Sequence, residues 1–182
     1  MGTAKVSTLT TVIGIFEFVP ITVFVYLQRG AGRHFRESLL ICGALALAML
    51  IVNRVIKRRM SSLALAVNIF LLIEGIGHVT YITVVANVFR FLEESVLFIV
   101  TFAVGVIRTC VSPAGFVDVV SGNSSAVKRA SLYLLLGVLV GLGISIAFRG
   151  HMFFAGVLPF VALGYLYRVL RQIASRSAVQ TA

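Results

Sequence analysis

The sequence predicts an all-α fold: a polytopic bundle of about six transmembrane helices with both termini on the cytoplasmic side. Three observations predict it. Of 182 residues, 59% are hydrophobic and only 12% are charged, against about 25% charged in an ordinary soluble domain. The mean hydropathy is +1.06. Six apolar runs follow one another, each near the roughly 20 residues that carry an α-helix across a bilayer. A small water-soluble domain keeps much of its surface wet, so lipid must solvate this much apolar surface. The crossings and their short loops use the whole chain, which forms one transmembrane domain, 1–182, and excludes a separate soluble catalytic domain.

The first run is about 8–27. Only Lys5 precedes it, Glu17 interrupts it, and no A-x-A cleavage site follows. It therefore predicts a retained helix and not a signal peptide. The second, about 38–56, ends in the basic cluster Lys57-Arg58-Arg59. The third, about 63–89, is long enough to tilt strongly or to break near Gly75-Ile76-Gly77. The fourth is about 95–112. A connector over about 113–131 contains Pro113 and Ser121-Gly122-Asn123-Ser124-Ser125, and it predicts a flexible cytoplasmic loop. The fifth and sixth runs are about 132–148 and 152–170. Pro20 and Pro159 fall inside the first and sixth runs, where each removes a backbone hydrogen bond and predicts a kink.

The net charge is +10. The bases lie in short loops between apolar runs, so they predict lipid headgroups as neighbours and not nucleic acid. With six crossings, one side holds Lys5, Arg54, Lys57, Arg58, Arg59, Arg108, Lys128, Arg129, Arg168, Arg171 and Arg176. These are eleven of the sixteen bases. The other side holds Arg29, Arg33, Arg36, Arg90 and Arg149. The positive-inside rule then places both termini in the cytoplasm. Tyr26, Tyr133, Tyr165 and Tyr167 fall near helix ends, at headgroup level.

Two carboxylates stand in the wrong solvent. Glu17 is predicted near the middle of the first helix and Glu74 near the middle of the third. Ionised groups at that depth cost a few kcal/mol or more, so they face a bundle interior and mark ion pathways, proton relays or partner contacts. The alternative is a protonated Glu hydrogen-bonded to a neighbouring helix. Glu74 and His78 are spaced i, i+4 and share a helix face. Asn68, six residues before Glu74, is about 120° around the helix from it at 100° per residue. Gly75 and Gly77 permit close approach or a local break, the device with which many transporters build midplane sites. A metal site needs further ligands, and His34 and His151 are predicted in outward loops, so no metal and no cofactor is expected. Cys42 and Cys110 lie in or beside apolar segments and lack CxxC spacing, so no disulfide framework is expected either. Gly137, Gly141, Gly143 and Ser145 form a small-residue stripe on the fifth helix, fit for internal packing or for self-association. GxSxG, HExxH, P-loop and GxGxxG signatures do not occur in the sequence.

The run Phe16-Glu17-Phe18-Val19-Pro20-Ile21-Thr22-Val23-Phe24 resembles the opening helix of the bacterial septation protein A family of inner-membrane proteins (YciB-like). The following spacing is also similar: a second helix ending in bases, a long glycine-containing third, and Phe89-Arg90-Phe91-Leu92-Glu93-Glu94 before the fourth. The resemblance covers about residues 15–110. Glu74 and His78, and the acids Glu93 and Glu94 in place of a base, depart from the family's pattern. The resemblance implies a multi-pass inner-membrane protein of cell-envelope maintenance or division. It also implies action through membrane partners and no known enzymatic site. The sequence alone supports a second reading, a small proton- or cation-linked transporter or channel using Glu17, Glu74 and His78. A third, an intramembrane enzyme, rests on one Glu–His pair.

Overall fold

The computed structural model describes residues 17–30, 35–79, 91–92, 94–119, 124–151 and 153–179. Every regular element among them is helical. The chain divides into two units, Met1–Val88 and Phe89–Ala182. Among the described residues, three helices are long and apolar enough to cross a membrane, over Glu37–Val55, Ser124–Ala147 and Phe153–Arg176. The apolar helices Ser62–Gly77 and Ser95–Val111 are shorter.

The first unit holds α1 (Val19–Gly30), α2 (Phe35–Val55) and α3 (Ser62–Val79). Pro20 is the second residue of α1, where a missing N–H costs nothing because first-turn amides have no helical acceptor. Pro20 therefore belongs to the first turn of α1 and not to a helix interior. Glu17 and Phe18 form the turn before α1, so Glu17 does not lie mid-helix as its place in the apolar run suggested. Thr22 ties the turn to the helix, its N–H and Oγ1 both reaching the Phe18 carbonyl at 3.0 and 2.9 Å.

α2 carries Glu37 in its first turn and Arg54 in its last, both complementary to the helix dipole. It ends in a Schellman turn. Lys57 N–H reaches the Arg54 carbonyl at 3.2 Å and Arg58 N–H reaches that of Asn53 at 3.0 Å, with Lys57 at φ 54°. α3 then starts at a serine cap, since Ser61 Oγ accepts from Ala64 N–H at 3.4 Å. α3 runs unbroken through Gly75-Ile76-Gly77. Those glycines serve contact instead of a break. A Cβ on Gly75 would sit 3.3 Å from Gly43 Cα, and one on Gly43 would sit 3.2 Å from the Leu71 carbonyl oxygen. α2 and α3 thus cross backbone against backbone, as small residues allow. The third apolar run beyond residue 79 lies outside the described residues.

The second unit holds α4 (Ser95–Val111), α5 (Ser124–Ala147) and α6 (Leu158–Val179). α5 begins eight residues before the expected 132, so Lys128 and Arg129 are helical. The segment expected as a flexible loop is largely folded. Over Pro113–Asp118 it makes consecutive turns, with Ala114, Phe116, Val117 and Val119 buried. Gly115 holds φ 61° and Asp118 φ 55°. A Cβ on Gly115 would strike Ser131 Oγ, so glycine is needed there for both φ and space. Phe116 is fully buried and stacks where Gly105 leaves room: a Cβ on Gly105 would lie 2.8 Å from its ring.

α6 is entered through a π-helical turn, Phe153–Val157. Pro159 follows as the second residue of α6. It has no N–H for the Ala155 carbonyl, and a widened turn beside it is a recognised response to a lost helical bond. On α5 the buried residues Val127, Ala130, Ser131, Leu134, Val138, Gly141 and Ser145 recur at helical spacing. The opposite face exposes Leu132, Tyr133, Leu136, Leu139, Val140 and Ile144. Such a continuous apolar surface belongs in lipid.

Candidate functional site

The most concentrated polar constellation lies where the Glu17 turn meets the α2–α3 connection. Glu17, in the turn before α1, lies against the start of α3. Its Oε2 accepts from Ser61 N–H at 3.1 Å and from Ser61 Oγ–H at 2.8 Å. Its Oε1 lies 3.5 Å from Arg58 Nη2. The Glu17 side chain is 5% exposed and that of Arg58 28%. Ser61 is therefore a relay: its hydroxyl donates to Glu17 and accepts from Ala64. The carboxylate supplies the negative charge that the first turn of α3 favours.

Asn68 joins the same constellation from two turns further along α3. Its Nδ2 donates to the Ala64 carbonyl at 2.7 Å and to the Glu17 main-chain carbonyl at 3.2 Å. Met60 Sδ is 3.9 Å away. Asn68 is fully buried, and its Oδ1 has no hydrogen-bond partner among the described residues. The reverse amide orientation would set Oδ1 against two carbonyls, so the observed one is the satisfied choice.

The structure brings Glu17 and Asn68 together and keeps Glu74 apart. Thirteen residues separate Ser61 from Glu74, so Glu74 lies about 20 Å further along the axis at 1.5 Å per residue. Glu74 is buried, at 8% exposed. His78 belongs to the last turn of α3, but its side chain, and with it the Glu74–His78 pair, lies outside the described residues. Among the described residues, no group of three His, Cys, Asp or Glu could hold a metal ion.

The small-residue stripe of α5 serves three environments. A Cβ on Gly137 would meet Leu166 Cδ2 of α6 at 2.5 Å, and one on Gly141 would meet the Phe98 ring of α4 at 2.7 Å. Ser145 Oγ pairs with Ser95 Oγ at 3.1 Å, both buried. Gly143 has nothing within 4 Å. Gly137, Gly141 and Ser145 thus pack inside the unit, and Gly143 faces out.

Sequence reasoning missed Arg58 and Ser61 as partners of Glu17. A signal existed: a serine after a basic cluster and before an apolar run is an N-cap pattern, and a cap invites a carboxylate. It also missed a second polar tie, Tyr167 Oη–H donating to Asp118 Oδ2 at 3.0 Å. Those residues are 49 positions apart, and nothing local marks them. Beside this tie, Asp118, Val119, Arg171, Gln172 and Ser175 line a shallow groove.

The chain matches no family model, no curated protein and no solved structure.

Proposed function

We propose that this chain is a multi-pass inner-membrane protein that works by helix contacts with membrane partners, in cell-envelope maintenance or division, and not by catalysis. In this reading it crosses the bilayer six times with both termini cytoplasmic, as the eleven-to-five split of bases favours. The residue pattern resembling the septation protein A family supports the envelope role. One observation carries the membrane reading: the exposed faces of helices such as α5 are lined with large apolar side chains while serines and glycines pack inside. The alternative, proton- or cation-linked transport through Glu17, Glu74 and His78, needs those groups in one cavity. Against it, Glu17 is engaged by Ser61 and Arg58, and about 20 Å of helix rise separates it from Glu74.

The test has two steps. The chain should stay with the membrane pellet through carbonate extraction. A C-terminal green fluorescent protein fusion should fluoresce, and a C-terminal alkaline phosphatase fusion should be inactive. Release by carbonate would overturn the membrane reading, and an active phosphatase fusion would overturn the topology. Transport would regain ground if Glu74→Gln abolished function at normal protein level.

A further inference from the structure

We infer that the turn joining α2 to α3 is a binding site for an anionic phospholipid, its phosphate held by Arg54, Lys57 and Arg59 and its acyl chains lying along the end of α2. The inference rests on the membrane reading above and goes beyond it, because headgroup charge and a defined place on the protein are now specified.

Four bases fall within six residues here, Arg54, Lys57, Arg58 and Arg59. Among the described residues, the one carboxylate that reaches them is committed to Arg58, at 3.5 Å. Arg54, Lys57 and Arg59 are exposed, and none of the three makes an ion pair with a described residue. Among the described residues no acid neutralises these three cations. Beside them, the end of α2 exposes Ile51, Val52 and Val55, and Ile56 follows just past it, with Val55 at 74% and Ile56 at 68%. Cations next to an exposed aliphatic strip match the two halves of a phospholipid. Basic pockets at this level of a membrane protein take anionic headgroups.

Lys57 supplies the second line of evidence. It occupies the left-handed position of the Schellman turn, at φ 54°. Glycine is the usual residue there, because a side chain meets the following carbonyl. The sequence bears that strain and places an exposed ammonium between Arg54 and Arg59. A residue in a sparsely populated conformation points toward function when the surroundings hold it there. Here they do: two main-chain hydrogen bonds close the turn, and Glu17 fixes the following Arg58.

The test uses the full chain in a non-ionic detergent, with thermal unfolding followed as dioleoylphosphatidylglycerol or dioleoylphosphatidylcholine is added. Phosphatidylglycerol should raise the melting temperature at lower concentration than phosphatidylcholine. Each basic residue near a lipid surface contributes about 1 kcal/mol, or roughly a fivefold change, so Lys57→Gly should raise the half-effective concentration about fivefold. The same variant should unfold at an equal or higher temperature without lipid, since glycine relieves the strain; a purely structural lysine would not separate the two readouts. The triple variant Arg54→Gln/Lys57→Gly/Arg59→Gln should lose about 100-fold. Arg168→Gln/Arg171→Gln/Arg176→Gln removes the same charge from α6 and should change the value less than about twofold, because screened charges act locally. Equal stabilisation by both lipids, an unaffected Lys57→Gly variant, or an equal loss in the α6 variant would each overturn the proposal. Competition by glycerol 3-phosphate at the lipid's own concentration would assign the cations to a soluble phosphate and overturn the lipid site. Failure of the membrane reading is distinct, since it appears first as release by carbonate.

Discussion

The two units tie their loops to their helices in different ways. In the first, a buried carboxylate is the knot: Glu17 takes a main-chain N–H, a hydroxyl and a guanidinium. In the second, neutral hydroxyls do most of the tying. Ser131 Oγ accepts from Phe116 N–H at 2.9 Å, Ser95 meets Ser145, and Tyr167 donates to a half-buried Asp118. The glycine contacts differ in parallel. Gly43 and Gly75 meet backbone to backbone, whereas Gly137 and Gly141 meet the tips of Leu166 and Phe98. The first unit is therefore closed by groups that cannot yield, and the second by groups that can turn. The same type of change should be costlier in the first unit.

The largest expected effect is at the carboxylate knot. Glu17→Ala strips Ser61 N–H of its acceptor and leaves Arg58 without its partner in a half-buried setting. Removing one side of a buried charged contact costs about 3 kcal/mol or more, and the partial exposure of Arg58 holds this case to the lower end. Glu17→Gln keeps an acceptor for Ser61 and should lose about 1 kcal/mol. Unfolding of the purified protein in mixed micelles by sodium dodecyl sulfate would measure both. If the two variants lose the same amount, the ion pair and not the Ser61 contact carries the knot.

The backbone crossing comes next. Gly75→Ala places a methyl 3.3 Å from Gly43 Cα, and no side chain can rotate away. The helices must part, at about 2 kcal/mol for overpacking. In the second unit, Gly137→Ala meets only the end of Leu166, so a rotamer change should hold the loss below about 1 kcal/mol. A larger loss at Gly137 than at Gly75 would reverse the contrast between the units. Tyr167→Phe follows, removing one hydrogen bond to a half-buried carboxylate for about 1 kcal/mol.

The sequence made the helices legible and the ties largely illegible. The fourth run, about 95–112, corresponds to Ser95–Val111, and the second, about 38–56, to Phe35–Val55. Hydropathy finds such segments because lipid solvation acts along the whole run. It carries no mark of depth within a run. Glu17 therefore read as a mid-helix acid, although the helix starts only at Val19. Pro20 held the missing information, since proline favours the first turn. The Pro113–Asp118 segment read as a loop because its turn residues are polar or small. Its burial depends on Phe116 finding the space at Gly105 and an amide partner at Ser131, 15 residues away. Asn68 read as an intramembrane polar residue grouped with Glu74 and His78, and it is buried. Its actual neighbour is the Glu17 main chain, and no side-chain periodicity reports that contact.

The smallest effect sharpens the comparison most, because it tests the face that neither unit's knots touch. Gly143 is exposed, and a Cβ there would meet nothing within 4 Å. In a helix interior, alanine is favoured over glycine by about 0.5–1 kcal/mol, because glycine loses more backbone freedom on folding. Gly143→Ala should therefore leave stability unchanged or raise it slightly in micelles. Gly141→Ala, two residues away on the same helix, should lower it, because Phe98 already fills that space. The pair separates a glycine kept for packing inside the unit from one that such packing does not require. If Gly143→Ala folds normally in detergent yet loses function in cells, its smallness is needed by a partner helix at that face. If it keeps both, the partner contacts lie on another face.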